Sequence, residues 1–243
     1  MKVTTTARAR RRQYVPPQHG AWAMLLLPYL AGVLVSGFAW PDLPLLGAWI
    51  AGYLLSYYVL QTIKTRRLSR FRPQITLYAP VTVVLAVPVV VARPALLWFA
   101  PAYAVLLAVN AWFAWRRQER ALVNDLASVV QSCLMVPVVA VVAGSTPDWR
   151  PFAVVLLYFT GTVLFVKTMI RERGSVPYRW ASIGYHLVAL AAATVIDAFA
   201  AVVFAGLLGR AWLLPGRPLT PKQVGFVEIG ASVLVLVAAV LAD

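Results

Sequence analysis

Residues 180–214 read WASIGYHLVALAAATVIDAFAAVVFAGLLGRAWLL, and the fold turns on whether they make one long tilted helix or two short ones. A helix needs roughly 20 apolar residues to cross a bilayer core, so this stretch is long for one span and short for two. Asp197 stands near its middle and suits the N-cap of a second helix. Charge makes the same choice. With two helices here the chain has nine apolar segments, at about 21–38, 44–62, 75–92, 95–114, 126–143, 151–170, 180–196, 198–214 and 226–242. With the N-terminus inside, 20 of the 22 Lys and Arg then fall on the inner side, and only Arg93 and Arg150 fall outside. Merging the two helices would carry Arg210, Arg217 and Lys222 across the membrane, against the positive-inside bias.

The sequence therefore predicts an all-α, polytopic transmembrane helical bundle of about nine spans, N-in and C-out. Residues 1–20 form a basic cytoplasmic segment and 21–243 a single transmembrane domain. All nine tryptophans sit near predicted span ends: Trp22, Trp112, Trp115, Trp180 and Trp212 inside, Trp40, Trp49, Trp98 and Trp149 outside. That is the distribution of an aromatic belt. Basic residues ahead of an apolar run also fit a signal peptide, and Arg11-Arg12 a twin-arginine signal. The length of the first span and the eight that follow favour a retained anchor.

Composition agrees. Hydrophobic residues make up 61% and charged residues 12%, with a mean hydropathy of +0.77. A soluble domain runs at roughly 45–50% apolar and about 25% charged, so this chain lacks the polar surface of a globule. Disorder, collagen-like repeats and a disulfide-stapled scaffold are excluded, since the one cysteine, Cys133, has no intramolecular partner. The net charge of +14 reads as orientation rather than as a nucleic-acid signature. Prolines 41, 44, 73, 94, 147, 151, 177, 215, 218 and 221 mark segment ends. Pro28, Pro80, Pro88, Pro101 and Pro137 fall inside spans and predict kinks. The expected home is the bacterial cytoplasmic membrane.

The outer connections are short, whereas the inner ones are longer and polar, so any site is expected on the cytoplasmic side. Five features lie there. Gln18-His19-Gly20 leads into the first helix behind two prolines, and His19 suits a proton carrier or phosphate contact, or is merely solvated among headgroups. Tyr57, Gln61 and Lys64 share one face of the second helix and run into Arg66, Arg67, Arg70 and Arg72. Guanidinium forks suit phosphate oxygens, although loop arginines also serve topology and bind acidic lipid nonspecifically.

The third feature is Asn110, then Arg116 to Asp125, then Gln131. With the fifth helix starting near Glu119, Arg120, Asn124 and Gln131 would share a face. Asp125 could hold a cation or orient an arginine, and Asn124 or Asp125 could instead cap the helix. Amides inside spans, such as Asn110 and Gln131, glue helices or line a polar cavity. Fourth, Lys167 and Arg171 are like charges one turn apart, which implies an acidic partner or a bound anion. Tyr185-His186 follows within the seventh span, where a histidine either contacts another helix or carries protons. Fifth, Thr220 with Gln223 forms a capping box, and Glu228 one turn later suits a helix-dipole charge. No metal-ligand spacing, P-loop, hydrolase elbow or dinucleotide fingerprint is present.

Gln18-His19-Gly20-Ala21-Trp22, the run from Glu119 to Asp125, and the run from Val166 to Gly174 with Tyr185-His186 resemble the YwiC-like family. That resemblance implies a bacterial integral membrane protein and brings no reaction with it. A more distant, architectural resemblance is to the UbiA superfamily of nine-helix prenyltransferases, which bind Mg²⁺ and a prenyl diphosphate between two aspartate-rich motifs. The corresponding stretches here are Gln61 to Pro73, with no acid, and Lys167 to Arg179, with only Glu172. Holding Mg²⁺ on a diphosphate takes several carboxylates, so no cofactor is expected.

The leading expectation is a lipid-binding or lipid-modifying membrane protein. Its ligand would be an anionic lipid or isoprenoid phosphate, in a cytoplasmic-side cavity. The expected binding residues are Gln18, Gln61, Lys64, Asn110, Arg120, Asn124, Gln131, Lys167, Arg171 and Tyr185, with His19, Asp125 and His186 as candidate catalytic groups. Membrane lipids are the expected partners and nucleic acid is not. The alternatives are a transporter or flippase, and a non-catalytic assembly subunit.

Overall fold

A computed structural model of the chain describes residues 14–16 and 19–242, excepting the side chain of His19. The described residues form helices and no strands. The helices are α1 (His19–Ser36), α2 (Asp42–Thr65), α3 (Leu68–Ala92), α4 (Ala100–Trp115), α5 (Leu122–Cys133), α6 (Met135–Ala143), α7 (Trp149–Ile170), α8 (Val176–Ile196), α9 (Ala198–Leu213) and α10 (Pro221–Leu241). A 3-10 turn, Pro94–Phe99, leads into α4, and α5 with α6 makes one broken pass. Seven passes are long and apolar enough to cross a membrane, and two shorter apolar helices, Gly20–Ser36 and Ala198–Leu213, complete the set. The chain is a polytopic helical membrane bundle.

The stretch 180–214 divides where the sequence reading placed the break. Asp197 leaves the helical conformation, with φ −162° and ψ 148°, and caps α9. Its carboxylate accepts from the backbone N–H groups of Phe199 at 2.7 Å and Ala200 at 3.0 Å. Those donors would otherwise be orphaned in an apolar surrounding. The Thr220–Gln223 capping box is likewise formed, with Pro221 at the first helical position. Pro137 separates α5 from α6, because it has no N–H for the carbonyl of Cys133 and the ladder stops there.

Several boundaries differ from expectation. Pro73 lies inside α3 rather than at a segment end, because α3 starts at Leu68. The fifth pass starts at Leu122, not near Glu119, because Arg117 adopts a left-handed conformation (φ 57°) and breaks the ladder. Arg120 is consequently in the connector and not on the face of α5.

The main core is built on α7. Val154, Val155, Tyr158 and Phe159 pack with Leu27 and Ala31 of α1, Cys133 of α5, and the small buried faces of α8, α9 and α10. A second cluster joins α1, α2, α3 and α6 through Tyr29, Leu45, Val89 and Val139. Gly32 brings α1 against α6, since a Cβ there would lie 2.7 Å from the Cβ of Val139. Burial grades outward: 61% of the α5–α6 pass is buried, against 6% of α3 and of the pass through α4. The exposed faces of those peripheral helices are apolar, as lipid-facing surfaces must be.

Orientation rests on charge. A membrane-impermeant maleimide is expected to label a Ser145→Cys variant in intact cells, and a Ser69→Cys variant only after lysis. Both positions are exposed, and native Cys133 is buried and silent. Labelling in the reverse pattern overturns N-in.

Candidate functional site

The inner end of the bundle gathers charges from three helices, α2, α5 and α7, at the connector between α4 and α5. The connector turns tightly: Gln118 N–H donates to the Phe113 carbonyl at 2.8 Å, and Ala121 N–H to that of Gln118 at 2.9 Å. Lys64, in the last turn of α2, pairs with Glu119 at 2.7 Å. Lys167, near the end of α7, pairs with Asp125 at 2.8 Å and donates to the Arg120 carbonyl at 2.7 Å. The connector is thus held from both sides by lysines of distant helices.

An amide network braces it from below. Asn110 of α4 is buried and donates to the Asn124 side-chain oxygen at 2.9 Å and to Ser128 Oγ at 3.2 Å. Asn124 is not a cap; its amide donates to the Glu119 carbonyl at 2.8 Å. Both amides meet partners and fix the angle between α4 and α5. Of the acidic partner or bound anion expected at Lys167 and Arg171, the structure shows an acid for Lys167, Asp125.

Of the expected residues, Lys64, Asn110, Arg120, Asn124, Asp125 and Lys167 come together here. Gln61 is half-buried one turn below Lys64, and Arg171 is exposed one turn beyond Lys167. Gln131 is half-buried, two turns deeper along α5. Gln18 and the side chain of His19 lie outside the described residues. Tyr185 and His186 belong to another place. Tyr185 donates to the Leu157 carbonyl at 3.1 Å, and His186 is buried against Gly161 of α7.

The two pairs differ in burial. Lys64 and Glu119 are 38% and 31% exposed, so their pair is water-screened and contributes little. Lys167 is only 7% exposed, with Asp125 at 26%. Beyond them the rim is cationic. Arg66, Arg67, Arg70, Arg72, Arg116, Arg117, Arg120 and Arg171 are all exposed. Among the described residues no three His, Cys, Asp or Glu side chains stand close enough to share a metal ion. A shallow cavity of about 560 Å³ opens at the other end of the bundle, over Thr146–Arg150, Ala153 and Ile196.

A second polar centre was missed by the sequence reading. Arg210 of α9 and Glu228 of α10 form an ion pair inside the bundle, 6% and 15% exposed. Glu228 also accepts from Thr162 at 2.9 Å, while the Tyr158 hydroxyl meets the Glu228 carbonyl at 3.1 Å and Ser232 Oγ at 2.9 Å. The Arg210 guanidinium lies over the Phe165 ring, 4.3 Å from its centroid. Glu228 is therefore more than a helix-dipole charge: it neutralises a buried cation. The available signal was spacing. Tyr158 with Thr162, Ser182 with His186, and Glu228 with Ser232 are polar pairs one turn apart in otherwise apolar spans.

Fold and site together define a polytopic helical membrane protein with a charged network at one end. The chain belongs to the YwiC-like family: the family model for YwiC-like protein matches residues 15–140. It is similar to an uncharacterized protein of Haemophilus influenzae, 33% identical over 229 residues, covering 91% of this chain and 96% of that one. It is also similar to uncharacterized protein YwiC of Bacillus subtilis, 32% identical over 219 residues, covering 88% and 92%. No solved structure matches the chain. The resemblance to the UbiA superfamily is not shown by these comparisons.

Proposed function

We propose that the protein binds an anionic lipid headgroup or isoprenoid phosphate at the inner face of the bacterial cytoplasmic membrane, on the patch around the α4–α5 connector. The observation that carries this reading is the convergence of Lys64, Lys167 and the exposed arginines on one connector. Lys167 uses two of its three N–H donors, on Asp125 and on the Arg120 carbonyl, which leaves one for a phosphate oxygen. Arg116, Arg120 and Arg171 at the rim supply planar forks for the remaining oxygens. The apolar tail would lie along the lipid-facing surface of α4, which carries little burial. Such a site needs no metal, since cations of the chain itself meet the phosphate charge.

The test uses full-length protein in nanodiscs with brominated phosphatidylglycerol, farnesyl phosphate or brominated phosphatidylcholine. Trp112 and Trp115 are exposed on α4, and the part of the tryptophan quenching that is lost in a Trp112→Phe, Trp115→Phe variant reports brominated lipid at the patch, with farnesyl phosphate read by competition. The double variant Lys167→Gln, Asp125→Asn leaves net charge unchanged and strands no charged partner. It is expected to weaken anionic binding about tenfold, the worth of a charge-assisted hydrogen bond. Arg93→Gln, at the other end of the bundle, is expected to change nothing. Equal affinity for anionic and zwitterionic lipid, or an unchanged double variant, overturns the reading.

A further inference from the structure

The Arg210–Glu228 pair satisfies only part of the arginine. Glu228 takes Nη1, while Nε and Nη2 are buried and have no hydrogen-bond partner among the described residues. Two more such atoms lie on the neighbouring helix, Ser182 Oγ and His186 Nε2, in side chains that are 0% and 2% exposed. A buried donor or acceptor left unmade is costly, and four together call for a common cause.

Topology puts them at one level. α8 and α9 pack as an antiparallel hairpin turning at Asp197. Counting back from that turn at equal rise, Arg210 stands level with Gly184, between Ser182 and His186. Both groups also meet one face of α7, with Phe165 beneath the guanidinium and Gly161, one turn earlier, beside the imidazole. A Cβ at Gly161 would lie 3.0 Å from His186 Nε2, so glycine there lets the imidazole lie close against α7.

The donor pattern defines the ligand. The Nε–Nη2 edge of a guanidinium is a two-toothed donor for an oxyanion, and the Ser182 hydroxyl adds a third donor. His186 Nδ1 lies 2.7 Å from the Ser182 carbonyl, which can only accept, so Nδ1 carries the proton and Nε2 presents a lone pair. Nε2 therefore asks for a ligand hydroxyl. An oxyanion that also bears an acidic O–H has the chemistry of a phosphate monoester or of free phosphate.

We propose that Arg210, Ser182 and His186 form a binding site for a phosphate monoester group within the inner half of the bundle. Arg210 lies one turn from the inner end of α9, within reach of the headgroup layer. Trp180 and Trp212 pack edge to face near the inner ends of α8 and α9, ring centroids 6.0 Å apart. Phe165 and Lys167 point to different sides of α7, toward Arg210 and toward Asp125, so this site is separate from the connector patch.

Full-length protein in dodecylmaltoside is titrated with inorganic phosphate, with sulfate, and with dioctanoyl phosphatidic acid, reading tryptophan emission and thermal midpoint. A saturable response to phosphate alone marks a free-anion site, and a response to phosphatidic acid alone marks a lipid headgroup site; either supports the proposal. Sulfate, which has no O–H at neutral pH, is expected to bind at least about tenfold more weakly. Ser182→Ala is expected to weaken binding about tenfold while folding normally, and Arg210→Lys, which keeps the charge but loses the fork, by more. Phosphatidic acid can also meet the connector patch, so each titration is repeated in the Lys167→Gln, Asp125→Asn background: a response that survives there and falls with Ser182→Ala belongs to this site, and one lost there belongs to the connector and counts against it. No saturable response to either phosphate probe, or an unaffected Ser182→Ala variant, overturns the site.

Discussion

Replacing Glu228 by leucine is expected to cost about 3–5 kcal/mol, the largest effect of any single change in the bundle, because it leaves the Arg210 guanidinium buried without its counter-charge. The same change strands Thr162 Oγ1, which donates to Glu228 at 2.9 Å. The thermal midpoint in detergent and the fraction recovered as monodisperse protein both read the loss. The double variant Arg210→Met, Glu228→Leu removes charge and counter-charge together and is expected to recover most of the stability, since burying an ion pair costs desolvation that apolar side chains avoid. A double variant as unstable as the single one would mean that the pair itself, and not the stranded cation, carries the energy.

Gly32→Ala is the second large effect. Its new methyl would meet Val139 Cβ at 2.7 Å and the Val136 carbonyl oxygen at 3.1 Å, both fixed to α6. Neither can move without the helix, so α1 and α6 must separate, at about 1–3 kcal/mol for an overpacked contact. Gly47→Ala is the control. Its methyl would meet Leu85 Cδ1 at 2.8 Å, the far end of a side chain that can change rotamer, and the expected cost is below about 1 kcal/mol. Thermal midpoints of the two variants in one detergent compare them directly, and equal losses would contradict the close packing of α1 on α6.

The pass count was legible because hydropathy, the positive-inside bias and aromatic placement each report membrane crossing independently. At 180–214, where hydropathy alone was ambiguous, Arg210, Arg217 and Lys222 resolved it, and the Asp197 cap agrees. Local chemistry was legible where it was complete in a few residues, as in the Thr220–Gln223 box. The start of α5 was not, because nothing in Arg117 announces a left-handed backbone that glycine or asparagine would ordinarily take.

Pairing between distant segments was only partly legible. The spacing of Lys167 and Arg171 required a counter-charge, and Asp125 was already marked as a cation-holding acid. What spacing could not supply was which inner connections are neighbours, and that is set by α5 packing on α7. The Lys64–Glu119 pair is of the same kind. Arg210 and Glu228 escaped for a different reason. Each had a sufficient local explanation, orientation for the one and a helix dipole for the other. Only the antiparallel packing of α9 and α10 against α7 shows that they neutralise each other.

The functional reading stands most directly on what the protein carries out of its own membrane. Native mass spectrometry of the full-length chain, released from bacterial membranes in a mild uncharged detergent, measures this without any chosen probe. The expected spectrum has a bound species of anionic lipid or isoprenoid phosphate mass, depleted in the Lys167→Gln, Asp125→Asn variant. A spectrum of bare protein, or of neutral lipid retained equally by wild type and variant, contradicts an anion-binding inner face.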